Sequence, residues 1–239
     1  TRDFLKKLGL NAYFSGCMTL TLDKRTCAPD KKEEKVFVVD LDPKIQKKLT
    51  PEIIRKNLDG NIIDYTITHF YYWNEYPVTE KGAQEFEEHA RYVLNKYKNE
   101  AKLVITSKIH VAMPCIAMGI PVIFIVGDPF GERFDVLSGI VPIYSAKDIK
   151  YIDWHPIAPN IEPLKQAILS NVKAIFSKKD ELISKSISEL DKIPSHLVCN
   201  NPIPKRIRFA RTITYYLKTQ TRGIRKNLKA RMISCFKSI

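Results

Sequence analysis

The stretch Ala101–Val126, AKLVITSKIHVAMPCIAMGIPVIFIV, decides the fold. Leu103, Val104 and Ile105 read as a buried strand, and Thr106, Ser107 and Lys108 as a polar turn. A short helix then runs up to Gly119, and a second buried strand starts at Pro121. Strands that are apolar almost without interruption belong to parallel sheets covered on both faces, since a half-exposed strand would alternate. The junction between the first strand and the helix carries the chemistry. An N-capping hydroxyl there leaves backbone N–H groups and the positive end of the helix dipole facing outward, a ready anion site. Lys108 and His110 stand beside it. Pro114 admits two readings: a helix that begins at Lys108 and loses the bond to the His110 carbonyl, or a regular helix that begins only near Met113.

Outward from this stretch the same alternation recurs. Before it come a strand at Val36–Val39, a helix near Ile45–Leu58, a strand at Ile62–Thr68 and a helix near Glu80–Lys98. That last helix has Phe86, Ala90, Val93, Leu94 and Tyr97 on one face. After it come a strand near Ile140–Tyr144, an amphipathic helix at Glu162–Phe176 and a further helix at Ser177–Leu190. The first residues predict a helix stopped by Gly9, a short strand at Ala12–Phe14, the run SGCMTLTL and a charged linker. Strands alternating with helices predict an α/β protein with a Rossmann-like parallel sheet and helices on both faces. In such sheets ligands bind outside the carboxyl ends of the strands, where strand order reverses. That rule points to Asp40, His69 and the turn from Thr106 to His110.

Charge is unevenly spread. The 239-residue chain carries a net +13, yet Asn201–Ile239 holds eleven Lys and Arg and no acid, so +11 lies there and +2 (13 − 11) in the rest. The basic character is not a nucleic-acid footprint over the fold, and no specific nucleic-acid partner is expected. Within the tail, Ile224, Leu228, Met232 and Phe236 fall at four-residue spacing among basic residues. A basic amphipathic helix of that kind fits an anionic membrane surface; a solvated tail or a cap on another lobe is the alternative. The five cysteines show no metal-ligand spacing, so no metal is expected and the thiols are read as reduced, in a cytoplasmic protein that is peripheral at the membrane surface. No apolar run reaches the roughly 20 residues of a membrane span. The chain starts at Thr1, within what reads as a folded unit, so a processed product or an excised part of a longer chain is expected.

Several motifs occur together in order: Arg2-Asp3 at a helix start, SGCMTLTL after GLNAYF, KVFVVDLD, YKNEAKLVITSKIHVAMPCIAMGIPVIFI, and DPFGERFDVL. Over about Thr1–Lys178 the sequence resembles the polysaccharide pyruvyl transferase family. The resemblance implies a two-lobed fold like that of GT-B glycosyltransferases. It also implies phosphoenolpyruvate as donor substrate with no cofactor, and a saccharide or lipid-linked glycan as acceptor. On this reading residues 1–22 are the end of a first Rossmann-like lobe, 23–35 a linker, 36–178 the pyruvyl transferase lobe, and 179–239 a basic helical tail. Most of the first lobe would be absent, leaving activity of this chain alone an open question.

Ketal formation from an enol phosphate needs proton transfer, and a histidine with an unperturbed pKa of about 6.5 suits it. His110 is the candidate general acid/base; a capping or core histidine is the other reading. Thr106, Ser107 and Lys108 are candidate anion ligands. Lys108 stands where the family more usually has arginine, keeping the cation but not the two-pronged hydrogen bonding of guanidinium. Arg2, from the family's RD pair, is a candidate donor ligand or simply a partner of Asp3, and Arg133 is either a loop ligand or a surface residue. His69 ends a strand before the aromatic run FYYWN and is a candidate acceptor contact, the aromatics being sugar platforms or core. Two other functions stay open at this point: a nucleotide-sugar glycosyltransferase of GT-B type, and a catalytically silent membrane-surface scaffold.

Overall fold

The computed structural model describes residues 2–10, 12–13, 15–26, 28, 34–69, 79–127, 134, 136–137, 139–193, 202–211 and 213–214. The chain divides into two compact units, Thr1–Asn200 and Asn201–Ile239. In the second, 205–211 is helical.

The first unit is built on a sheet of five parallel strands in the order β2-β1-β3-β4-β5. These are β1 (Lys35–Val39), β2 (Ile62–Asp64), β3 (Ala101–Thr106), β4 (Val122–Val126) and β5 (Ile143–Ser145). The helices are α1 (Arg2–Lys7), α2 (Pro43–Gln46), α3 (Pro51–Asn57), α4 (Glu80–Glu100), α5 (Ile109–Ala117), α6 (Glu162–Ser177) and α7 (Asp180–Lys192). Every described strand pairing is parallel, with Val39 beside Thr106 and Thr106 beside Phe124, so β1 and β3 end level with one another and β4 runs two residues further, to Val126.

The uninterrupted apolar strands are covered on both sides, as their composition requires. Phe37, Val39, Val104, Val122, Phe124 and Val126 share a buried cluster with Val93 and Tyr97 of α4 and with most of α5. The alternate residues Val36, Val38, Leu103, Ile105, Ile123 and Ile125 are buried as well, facing the other way, where Ile45, Leu49 and Ile54 of the α2–α3 segment are also buried. Parallel crossovers are right-handed as a rule, and with this strand order the rule puts the α2–α3 segment on one face of the sheet and α4 and α5 on the other. Strand order therefore reverses between β1 and β3.

Several predicted elements differ in extent. The helix expected near Ile45–Leu58 is two short helices, because Pro43 and Pro51 each sit at a helix start and Pro51 cannot donate to a preceding turn. The strand expected at Ile62–Thr68 stops at Asp64, whose Oδ1 accepts the Thr66 backbone N–H at 2.7 Å and turns the chain. The strand expected near Ile140–Tyr144 begins at Ile143, after the turn residues Ile140 and Val141 and the donor-less Pro142. Ala12 and Tyr13 are not strand, and the SGCMTLTL run contains a 3-10 turn at Met18–Thr21.

That 3-10 turn is held between α5 and α6. Leu20 is fully buried, and the buried Lys165 of α6 donates to the carbonyls of Leu22 at 2.7 Å and Ala117 at 3.4 Å. Gly16 adopts φ +73, and a Cβ there would lie 2.5 Å from Ile168, so both backbone and space demand glycine. Helix α7, which the sequence reading placed in the tail, lies in the first unit: its Ser186 accepts from Asn171 of α6 at 3.0 Å, and Leu190 joins the buried cluster.

Candidate functional site

The carboxyl ends of β1 and β3 lie side by side at the reversal of strand order, the place where sheets of this type take ligands. Backbone and side chains at this point are tightly determined. Asp40, the residue after β1, has φ 45, a left-handed conformation that asparagine and aspartate tolerate better than most residues. Its carboxylate accepts the Thr68 hydroxyl at 2.7 Å and the His69 backbone N–H at 2.6 Å, which ties the segment after β2 to the end of β1. Asp42 caps α2 through its Oδ1, which accepts the Lys44 N–H at 2.8 Å. Gly127, just past β4, leaves room for that carboxylate, since a Cβ there would lie 3.0 Å from Asp42 Oδ2.

The hydroxyls after β3 are used differently from the expectation of an N-cap. The cap position of α5 is Lys108, and no side chain caps the helix. Thr106 is fully buried and its Oγ1 accepts the Lys108 backbone N–H at 3.0 Å. Ser107 turns inward: its Oγ accepts the Asp42 N–H at 2.9 Å and donates to the Ile125 carbonyl at 2.5 Å. One hydroxyl thus joins the ends of β1, β3 and β4. The Val111 and Ala112 N–H groups both turn back to the Lys108 carbonyl, at 3.1 and 3.0 Å, which leaves the Ile109 and His110 amides at the start of α5 without an intrahelical bond and the dipole facing the edge of the sheet. Lys108 is half-buried there and His110 is exposed. Regular helix begins at Ile109 with Pro114 inside it, the first of the two readings of that proline.

His69 reaches the same edge from the far side of β1. Its ring Nε2 is 2.9 Å from the fully buried Tyr97 hydroxyl of α4, and the two rings stack within 8° of parallel at 6.0 Å between centroids. Burial pushes the His69 imidazole below its ordinary pKa. Asp40 acts in the opposite direction, while His89 and then His110 add to the depression.

Of the residues singled out in the sequence, the fold brings Thr106, Ser107, Lys108, His110 and His69 to one edge. Thr106 and Ser107 lie there as buried supports, with Lys108 and His110 reaching outward. The Arg2 side chain, Arg133, the run 70–78 and the tail stripe from Ile224 to Phe236 lie outside the described residues. Sequence reasoning placed Asp40 at a strand end but missed its grip on Thr68 and His69; it read Tyr97 only as part of a helix's apolar face, and it did not single out Asp42 or Gly127. The Asp-Pro pair at 42–43 is a helix-start signal that marks Asp42; nothing local marks Tyr97 as the partner of a histidine 28 positions earlier. Among the described residues no group of three or more His, Cys, Asp or Glu could hold a metal ion. Cys17 and Cys115 are free thiols, and burial pushes that of Cys115 far above its ordinary value.

An all-parallel α/β sheet with helices around it, and with a cation and a histidine at a helix start on the edge where strand order reverses, defines a Rossmann-like α/β protein. Residues 1–129 match the model of the polysaccharide pyruvyl transferase family, and the chain belongs to that family. No curated protein and no solved structure matches the chain. The matched residues include β1 to β4 and the whole Thr106–His110 turn.

Proposed function

We propose that this chain acts as a polysaccharide pyruvyl transferase, moving pyruvate from phosphoenolpyruvate onto a saccharide as a ketal in the assembly of a surface polysaccharide. The observation that carries the reading is the exposed His110 beside the half-buried Lys108 on the β1–β3 edge, inside the residues that match the family. Two negatively charged groups of the donor need a cation and free amides, and Lys108 and the start of α5 supply both. The chemistry then asks for little more than proton control. His110 gives a proton to the methylene carbon of the enol phosphate, which leaves an oxocarbenium-like centre at the ester-bearing carbon. A saccharide hydroxyl forms the first C–O bond there and loses its proton. The bond from that carbon to the phosphate oxygen breaks and phosphate departs with the electron pair, and a second hydroxyl adds to the vacated carbon and loses its proton, which closes the ketal. The proton transfers among these steps are within the range of an imidazole at neutral pH.

Replacing His110 by glutamine is expected to lower ketal formation by about two to four orders of magnitude, the usual contribution of a general acid/base. Donor-induced thermal stabilisation should persist in that variant and fall in Lys108→Ala, because a ligand that binds only the native state raises the midpoint. Full ketal formation by His110→Gln would refute the assignment. Stabilisation by nucleotide sugars and none by phosphoenolpyruvate would transfer the reading to a glycosyltransferase of GT-B type.

A further inference from the structure

A cavity of about 510 Å³ opens next to this edge, between the end of β1, the α2–α3 segment and the chain after β2. Its volume falls within the range that holds small molecules, roughly 300–1,000 Å³. The deep wall is apolar, formed by the buried Leu49, Ile54 and Ile67. Around them stand Asp40, Gln46, Tyr65 and Thr68. Gln46, Tyr65 and Thr68 are exposed, so they form the rim, with Tyr65 at 43% exposure presenting a ring to solvent.

The lining decides which part of the reaction fits here. Among the described lining residues there is no Lys, Arg or His, and the one ionisable acid is Asp40. A phosphate or carboxylate would meet a carboxylate across an apolar wall with no cation in the lining, Arg55 acting only from beside Tyr65 at the rim, so the cavity suits a second donor site poorly. A neutral ring with many hydroxyls suits it: hydroxyls can donate to the Asp40 carboxylate and the Gln46 amide, and the C–H face of a pyranose packs on Tyr65 and the aliphatic wall. Asp40 is also the link to the proposed chemistry, because the same carboxylate that lines the cavity holds Thr68 and the backbone of His69.

We propose that this cavity is the acceptor subsite and seats one neutral pyranose ring with its hydroxyls turned toward Asp40. This rests on the reading of the chain as a transferase acting on a saccharide. The division of labour follows from charge: the anionic donor sits on Lys108 and α5, the neutral acceptor sits on the other side of Asp40, and the two meet at the carboxyl edge of β1 and β3.

The test is ligand-observed NMR of the full chain with methyl glycosides of galactose, glucose and mannose, run beside phosphoenolpyruvate. At least one glycoside should receive saturation from the protein. Its affinity should fall by about ten-fold or more in Tyr65→Ala and in Gln46→Trp, a loss comparable to one good contact. Both substitutions are at exposed positions, and unchanged circular dichroism and melting midpoints certify the fold. Phosphoenolpyruvate binding should be the same in both variants. The proposal is overturned if none of the glycosides binds, if Gln46→Trp binds them as well as the wild type, or if uridine or adenosine displaces them from the cavity. Glycoside binding sensitive to both variants, with no binding of phosphoenolpyruvate, would leave this site standing and remove the pyruvyl donor; donor binding without glycoside binding would do the reverse.

Discussion

At the scale of single residues, His69 is set by what surrounds it more than by its own sequence neighbourhood. That it lies past the second strand was legible, because the strand-helix alternation located the carboxyl edge, although the strand expected to reach Thr68 stops at Asp64. Its partners were not: Tyr97 comes from α4, and the hold of Asp40 depends on a left-handed backbone that no composition rule predicts for that position. The environment has a thermodynamic consequence. Burial, chiefly, lowers the imidazole's proton affinity in the folded state below its unfolded value of about 6.5. Below about pH 6.5 the unfolded chain then binds more protons than the folded one, so stability falls as pH drops from there toward the lowered native value and levels off beneath it. Urea unfolding between about pH 7.5 and about pH 5 should show this acid-side loss in the wild type and a shallower one in His69→Gln. Equal slopes would mean that the ring is not held neutral by the fold.

Among elements, the turn between β3 and α5 shows where pattern reading succeeds and where it stops. The apolar runs and the helix stop at Gly119, φ +74, were legible because each follows from local rules. The part played by Ser107 was not. A serine two residues before a helix reads as a cap, yet its hydroxyl is drawn inward by an amide from β1's end and a carbonyl from β4, both distant in sequence. The same limit explains the merged helix at 45–58, where buried Ile45 and Leu49, then Ile54 and Leu58, keep a four-residue spacing on either side of Pro51 although the backbone restarts there. Ser107→Ala leaves two polar backbone groups short of their partner, one of them buried in β4. The expected cost is about 1–3 kcal/mol, read as a lower urea midpoint with an unchanged slope. Because the Asp42 and Lys108 backbones are both anchored by this turn, donor affinity should weaken in parallel. A variant as stable as the wild type would show that the bridge contributes nothing to folding.

At the scale of the whole molecule, charge separates what the fold does from what the tail does. The sheet unit, residues 1–200, carries +2, and the 39 residues after it carry +11. No described helix is long and apolar enough to cross a membrane. We propose that the tail brings the chain to an anionic lipid surface, where a lipid-linked acceptor would be concentrated. Each basic residue near such a surface contributes about 1 kcal/mol, and the attraction reaches no further than a Debye length of about 8 Å at physiological ionic strength. Arg222, Arg225, Lys226 and Lys229 alternate with apolar residues in the tail. Replacing all four by glutamine removes about 4 kcal/mol, so partitioning onto phosphatidylserine-containing vesicles should drop roughly a thousand-fold. Raising the salt to about 0.5 M should weaken the wild type in the same direction. Co-sedimentation measures both effects. Equal binding to neutral vesicles, or binding indifferent to the four substitutions, would show that the basic tail serves something other than a membrane surface.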